Sequence, residues 1–475
     1  MIEHNKYDSF NNSNIGNANQ GCVYEKQKKN DKKIHKKFRA IIFFDGTGNN
    51  RANTEARKLY NDLKRSYQQG WLTGELYEKC KAYEKNKSDD NSYQNDYSNV
   101  AKLETNFLLP PEGKKENDFD EHFSIYVSGI GTKDLKADVD IPGGAFGRGK
   151  TGVKTRVEKA IDFIANEIAN ATSSTDIIDK IQVDSIGFSR GAAAARYFVH
   201  AVLNDTDFML SKKLQAKNKN VTEVKSGFVG LFDTVASIGT KWLSTHPFSN
   251  DTEWLKLDAI SVSEKVVHLV AADEYREMFP STNINSKGSV EIKLPGVHSD
   301  IGGGYTDNMN EVNKVVYDLD TIWVTDKEQI KIDYEIDWLV NQTGWYAKNE
   351  VEINFWNEIS VNRKGIRNTY SRIPLHIMKQ YMKDSVLKFN DVDLKTKEWF
   401  IAKEHPDLDL LNTILGPLGT GDWTKSLNLL KKIRHKYFHF SSYYDQKDYS
   451  NVKQFFGVNS PRLINGLRKR EIFNG

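Results

Sequence analysis

A chain of 475 residues is long enough to bury a sizeable core and, by length alone, to hold two or three domains. Its composition, 38% hydrophobic and 28% charged, is that of a polar globular chain, and no run approaches the roughly 18 apolar residues of a membrane span. A formal net charge of +3 gives no case for a nucleic-acid partner, and two cysteines without a Cys/His cluster give none for a disulfide framework, a metal site or a cofactor.

Taken in chain order, residues 1–37 are rich in Asn and Lys and read as a disordered tail. MIEHNKYDSFNNSN has no apolar centre and so is not a Sec signal peptide. The basic run KQKKNDKKIHKKFR (26–39) reads as a solvated segment, with a weak attraction to anionic headgroups of about 1 kcal/mol per Lys or Arg as the functional alternative. From 38 to 305, strand and helix signals alternate, as in a doubly wound, mostly parallel α/β sheet. The first strand signal, AIIFFDGTGNN (40–50), is a buried strand running into a glycine-rich turn. Residues 51–97 read as a helical insertion, the sheet resumes at Phe123–Ser128, and a helix over 153–169 carries Val157, Ala160, Ile161, Ile164 and Ile168 on one stripe. Residues 306–475 hold Trp323, Trp338, Trp345, Trp356, Trp399 and Trp423 and read as a mainly helical region packed on or capping the core. These aromatics read first as core, with an acyl-chain cleft or membrane interface as the sharper alternative.

The most informative stretch is IQVDSIGFSRGAAAAR (181–196): an apolar strand, the sequence Gly187-Phe188-Ser189-Arg190-Gly191, then a small-residue helix. This is G-x-S-x-G in its required context of strand, sharp turn and helix, which lifts the serine hydroxyl off the end of a sheet. The bland alternative is a turn serine capping a helix. The elbow reading demands an acid and a histidine further along, in that order. The strand Phe228–Phe232 ends in Asp233, and the strand EIKL ends in a Pro-Gly turn and His298. Asp273 and Asp300 are rival acids, and His200 and His268 rival histidines in apolar runs. In this reading Ser189 is the nucleophile, His298 the general base and Asp233 the group that holds the imidazole. The oxyanion hole would use backbone N–H groups of Arg190 and of Gly46 or Thr47.

Two other motifs compete. GAFGRGKT, Gly144 to Thr151, satisfies the phosphate-loop pattern, and Asp233 would then be a magnesium-binding strand-end acid. Such a loop must follow a buried strand, whereas TKDLKADVDIPGG is charged and interrupted by proline, so a P-loop NTPase is kept only as an alternative. FFDGTG also matches the acidic loop of haloacid-dehalogenase phosphatases, but the position of their nucleophilic Asp is Phe43.

The set FFDGTGNN (43–50), YVSGIGT (126–132), GFSRGAAAAR (187–196), LFDTVAS (231–237), HLVAADEYREMFP (268–280), PGVHSDIGGGY (295–305), RIPLHIM (372–378) and FHFSSYY (438–444) resembles the first family of bacterial type VI secretion lipase effectors, over roughly residues 38–475. The resemblance implies an α/β-hydrolase fold, phospholipase A activity on membrane glycerophospholipids, and a triad falling on Ser189, Asp233 and His298. It also implies an antibacterial toxin made in the cytoplasm, delivered by a type VI spike or tube component into the target periplasm, and neutralised in the producer by an immunity protein. The alternative substrate is a non-phospholipid ester, since the same triad serves many esters.

Overall fold

The computed structural model describes residues 33–88, 91–110, 115–139, 151–237, 251–319, 323–390, 399–401, 404–444 and 459–475. The expected tail up to residue 32 and the phosphate-loop motif up to Lys150 lie outside the described residues.

The core is a six-stranded sheet. Its strands are β1 (His35–Phe44), β2 (Glu121–Val127), β3 (Ile177–Phe188), β4 (Val221–Phe232), β5 (Lys265–Ala271) and, after the two-residue β6 (Ser281–Thr282) outside this sheet, β7 (Val290–Leu294). The order is β2-β1-β3-β4-β5-β7 and every pairing is parallel. Strands in such a sheet are covered on both faces and read as continuous apolar runs, as Ala40–Phe44 does. The pleat divides that run: Ile41 and Phe43 enter one apolar cluster, and Ala40, Ile42 and Phe44 the other.

The helices follow from the same logic. α1 (Arg51–Gln68) and α2 (Gly74–Asn86) follow β1 and close on a small cluster of Tyr60, Cys80, Tyr83 and Tyr93. The Asn50 side chain caps α1 by accepting from the Asn53 N–H. α3 (Asn99–Thr105) packs on the face that carries Ile41 and Phe43. On the opposite face lie α4 (Val153–Asn170), α5 (Arg190–Leu203) and α6 (Leu210–Gln215). The stripe on α4 is buried throughout, and Ala192 to Ala195 let α5 approach the sheet closely.

α7 (His298–Gly302) follows β7, and β8 (Met309–Tyr317) then opens the C-terminal region. Helices make up most of its regular structure, and strands are set among them. β8, β9 (Val351–Ile353) and β10 (Ile359–Ile366) form an antiparallel sheet among α8 (Asp326–Asp337), α9 (Arg372–Asp384), α10 (Pro406–Leu415) and α11 (Leu427–Tyr437). This region shares one apolar cluster with the main sheet, to which Trp345 and Phe440 belong together with Phe228 and Val267. Trp345 is fully buried, whereas Trp323 is 79% exposed and Trp356 46% exposed, so the tryptophans divide between core and surface. The chain ends in the hairpin β11 (Leu463–Ile464) and β12 (Leu467–Arg468), then β13 (Ile472–Phe473), which pairs in parallel with β6. Among the described residues no helix is long and apolar enough to cross a membrane, and no group of three His, Cys, Asp or Glu residues could hold a metal ion.

One ion pair is built into the sheet itself. Arg39 Nε donates to Asp184 Oδ2 at 2.6 Å, and Asp184 Oδ1 accepts the Phe228 N–H at 2.7 Å, with both side chains buried. Removing one partner of such a pair strands a charge out of water, at a cost of about 3–5 kcal/mol. Arg39→Met is therefore expected to lower the free energy of unfolding by that order, read as a lower denaturant midpoint at unchanged slope; a loss under about 1 kcal/mol, as for an ordinary surface pair, would contradict this account.

Candidate active site

β3 runs straight into Ser189, which adopts φ 59° and ψ −126° before α5 begins at Arg190. That backbone region disfavours any residue with a Cβ, by about 1–3 kcal/mol, and persists only where the surroundings enforce it. Here they do. The Ser189 N–H donates to Phe232 O at 3.0 Å, and Ser189 O accepts from Ala192 at 3.0 Å and Val235 at 3.3 Å. The flanking glycines are required by close approach: a Cβ on Gly187 would lie 2.3 Å from Gly191 O, and one on Gly191 2.3 Å from Asp45 O. The sharp turn is thus wedged between the ends of β1 and β4.

Asp233 is the next residue after β4 and also has positive φ, 43°. Its Oδ2 lies 2.5 Å from His298 Nδ1. An ionised carboxylate only accepts, so Nδ1 carries the proton and Nε2 is left as the basic nitrogen. The imidazole sits between the Phe188 ring, 4.7 Å away between centroids, and Phe279, 4.9 Å away. Its own backbone N–H donates to Glu274 Oε2 at 3.1 Å. Ser189, Asp233 and His298 are all buried, at the C-terminal edge of the parallel sheet. Ser189 Oγ and His298 are not hydrogen-bonded to each other; such contacts are often long before substrate binds.

The rival residues are engaged elsewhere. Asp273 pairs with Arg434 at 3.0 Å and accepts the Gly296 N–H. Asp300 pairs with His439 at 2.8 Å. His268 Nε2 accepts the Thr234 N–H and its Nδ1 faces Glu291. The His200 ring faces Tyr197, with centroids 6.1 Å apart. Asp233, weighed above as a magnesium ligand, is occupied by His298.

Three charged neighbours of this cluster were not singled out as site residues in the sequence reading. Arg470, close to the C-terminus, donates from Nη1 to Asp233 Oδ1 at 2.7 Å and from Nη2 to Oδ2 at 2.8 Å. Glu274 is fully buried; it accepts from the Arg276 side chain at 2.9 Å and from Ser441 Oγ at 3.0 Å. Burial alone would raise both carboxyls, but Arg470 and His298 hold Asp233 far below its usual range, and Arg276 holds Glu274 at about 2. Arg276 in turn lies 3.4 Å over the Phe279 ring.

On the opposite side, the turn after β1 is held by Asp45 N–H to Val127 O and by Tyr126 Oη, which donates to Asp45 Oδ2 at 2.6 Å. The Gly46 N–H is taken by Asp45 Oδ1 at 2.7 Å. Among the described residues the Thr47 N–H has no acceptor, and its Oγ1 is buried without a partner. Of the two candidate donors in this turn, Thr47 is thus the available one. Arg190 opens α5, in the turn where helical amides point outward.

Burial favours the neutral imidazole and sets His298 below its ordinary 6.5, with Asp233 pulling the other way. A base works in its neutral form, so activity falls as pH drops through that value. The acid limb of kcat/KM is therefore expected below pH 6.5. A limb above it would mean that a different or a solvated group titrates.

Residues 201–327 match the family described as "T6SS, Phospholipase effector Tle1-like, catalytic domain". That segment contains Asp233 and His298 and begins after Ser189. A solved structure of the Tle1 effector bound to the VgrG spike of the type 6 secretion system is 22% identical, with a TM-score of 0.60, covering 93% of this chain and 94% of that one. An uncharacterized protein from Pseudomonas aeruginosa is 17% identical over 81% of this chain and 52% of that one, with a TM-score of 0.36. No curated protein matches the chain. The chain is similar to type VI secretion phospholipase effectors of the Tle1-like family, by sequence over residues 201–327 and by α/β fold over most of its length.

Proposed function

We propose, from this similarity to Tle1-like phospholipase effectors, that the chain is a serine ester hydrolase acting as a phospholipase A on membrane glycerophospholipids. The observation that carries the chemistry is the 2.5 Å pairing of His298 Nδ1 with Asp233 beside a serine held at positive φ. In the reaction, Ser189 Oγ attacks the acyl carbonyl while His298 Nε2 takes its proton. Asp233 keeps the proton on Nδ1 and stabilises the imidazolium. The carbonyl oxygen becomes an oxyanion facing the N–H groups of Thr47 and Arg190. As the intermediate collapses, the ester C–O bond breaks and His298 gives its proton to the leaving lysophospholipid hydroxyl. Water, activated by the same imidazole, then releases the fatty acid and restores Ser189.

Nothing in those three residues selects a phospholipid over another ester; the lipid rests on the Tle1-like family description. By the same similarity, we take delivery to be through a type VI spike component into the target periplasm, with an immunity protein protecting the producer. The test is wild-type protein with a fluorophosphonate probe and mixed phospholipid vesicles. Mass mapping of the label to Ser189 with release of fatty acid is the expected result. Labelling with intact lipid would move the substrate to another ester, and a folded protein that takes no label would remove the serine mechanism.

A further inference from the structure

Asp233 accepts four hydrogen bonds: from His298 Nδ1, the Ala271 N–H and both Nη groups of Arg470. A carboxylate offers about four acceptor sites, so this one is saturated, and Arg470 occupies half of it. Two further donors of Arg470 are used, Nε on Phe279 O at 2.9 Å and the second Nη1 hydrogen on Ala271 O at 3.2 Å. The guanidinium is 8% exposed. Placing a cation there costs free energy that only the opposing carboxylate offsets.

The segment that carries Arg470 is anchored at a second point by Arg468, whose side chain pairs with Glu335 and donates to Ser442 Oγ. It runs along residues 275–283 by backbone bonds: Arg462 N–H to Tyr275 O, Glu277 N–H to Ser460 O, Ser281 N–H to Glu471 O and Asn283 N–H to Phe473 O. Leu467 and Ile472 point into solvent, so the strap buries few apolar groups of its own. It carries two buried arginines: Arg468, which pairs with Glu335, and Arg470, the one that grips Asp233.

We infer that Arg470 is a positioning residue for the hydrolytic site: the C-terminal strap delivers a two-pronged fork that fixes the plane of the Asp233 carboxylate and divides its charge between the guanidinium and the imidazole. The inference rests on the serine-hydrolase reading above. Charged groups reach His298 from three elements. Asp233 comes from the end of β4, Glu274 and Arg276 from the segment after β5, and Arg470, through Asp233, from the strap. On its own helix, Asp300 is committed to His439. Glu274 and Arg276 compensate each other, so Arg470 is the cation whose loss leaves Asp233 wholly to the imidazole. His298 then holds its proton more tightly.

The experiment compares full-length wild type, Arg470→Lys and Arg470→Gln. It measures the pH dependence of acylation by a fluorophosphonate, kcat/KM on a soluble nitrophenyl ester, and the thermal unfolding midpoint. Arg470→Gln is expected to move the acid limb up by about one pH unit and to lower the plateau roughly 10- to 100-fold, as loss of an orienting partner does. Arg470→Lys keeps the charge but not the fork, so it should lower the plateau with a smaller shift. An acid limb that stays put in Arg470→Gln while only the midpoint falls would overturn the inference and leave a structural strap. A folded wild type that is neither acylated nor active would overturn the serine-hydrolase reading, and this inference with it; the two failures are therefore distinct.

Discussion

Ser189→Ala is expected to abolish fluorophosphonate labelling and to lower ester hydrolysis by up to about a millionfold, the scale seen when a serine nucleophile is removed from its unit. The expectation is sharp because the change is small. Alanine keeps the Cβ, so the backbone at φ 59° feels the same strain, and the N–H to Phe232 O and the three carbonyl contacts of residue 189 are retained. Stability should move by less than about 1 kcal/mol, as for a substitution that creates no cavity and strands no polar group. Ser189→Gly makes the complementary case. Glycine adopts that conformation freely, so this variant should be equally inactive yet more stable than wild type, by about 1–3 kcal/mol less the entropy of a freer unfolded chain. An inactive variant that gains stability would mark the strain as held for function. Retained labelling in Ser189→Ala would place the nucleophile elsewhere.

The parts of this site that were legible in the sequence are those whose chemistry is local. The elbow is readable because the turn itself demands glycine at 187 and 191, and the stripe on α4 because burial imposes a 3.6-residue period. Asp233 and His298 stood out because each ends an apolar strand, and the structure brings both together at the sheet edge with Ser189. What was not legible depends on contacts far apart in the chain. Arg470 meets Asp233 across 237 positions, and no local pattern distinguishes it from the Arg and Lys around it. Glu274 lay within a recognised motif, but its role comes from an acceptor site shared by the His298 N–H, Arg276 and Ser441. The choice between Gly46 and Thr47 turned on the direction of one Asp45 oxygen. The antiparallel strands of the C-terminal region escaped because tryptophan content drew attention there, whereas β8, MNEVNKVVY, carries polar residues and an exposed Val312 that blur its alternation.

The fork from Arg470 also determines what Asp233→Asn would do, and the expected loss is about ten-thousandfold in kcat, the scale set by a wrong histidine tautomer. An asparagine here must place its NH2 at one of two positions. At the Oδ1 position it faces two donors, Arg470 Nη1 and the Ala271 N–H. At the Oδ2 position it faces one, Arg470 Nη2, and can donate to His298 Nδ1. The second arrangement strands fewer groups and wins, but it moves the imidazole proton to Nε2, the nitrogen that must accept from Ser189. The variant also leaves a buried guanidinium without its counter-charge, at a cost of about 3–5 kcal/mol. The pH sign separates the two effects. Asp233 is depressed below its ordinary 3.8 in the fold, so its stabilising contribution is full above that value and lost as pH falls toward the folded value. The stability gap between wild type and Asp233→Asn should therefore be full at neutral pH and narrow below pH 3.8. The activity gap should persist across the whole range in which wild type is active. Near-normal turnover in Asp233→Asn would remove Asp233 from the mechanism, because among the described residues no other carboxylate accepts a hydrogen bond from the His298 ring.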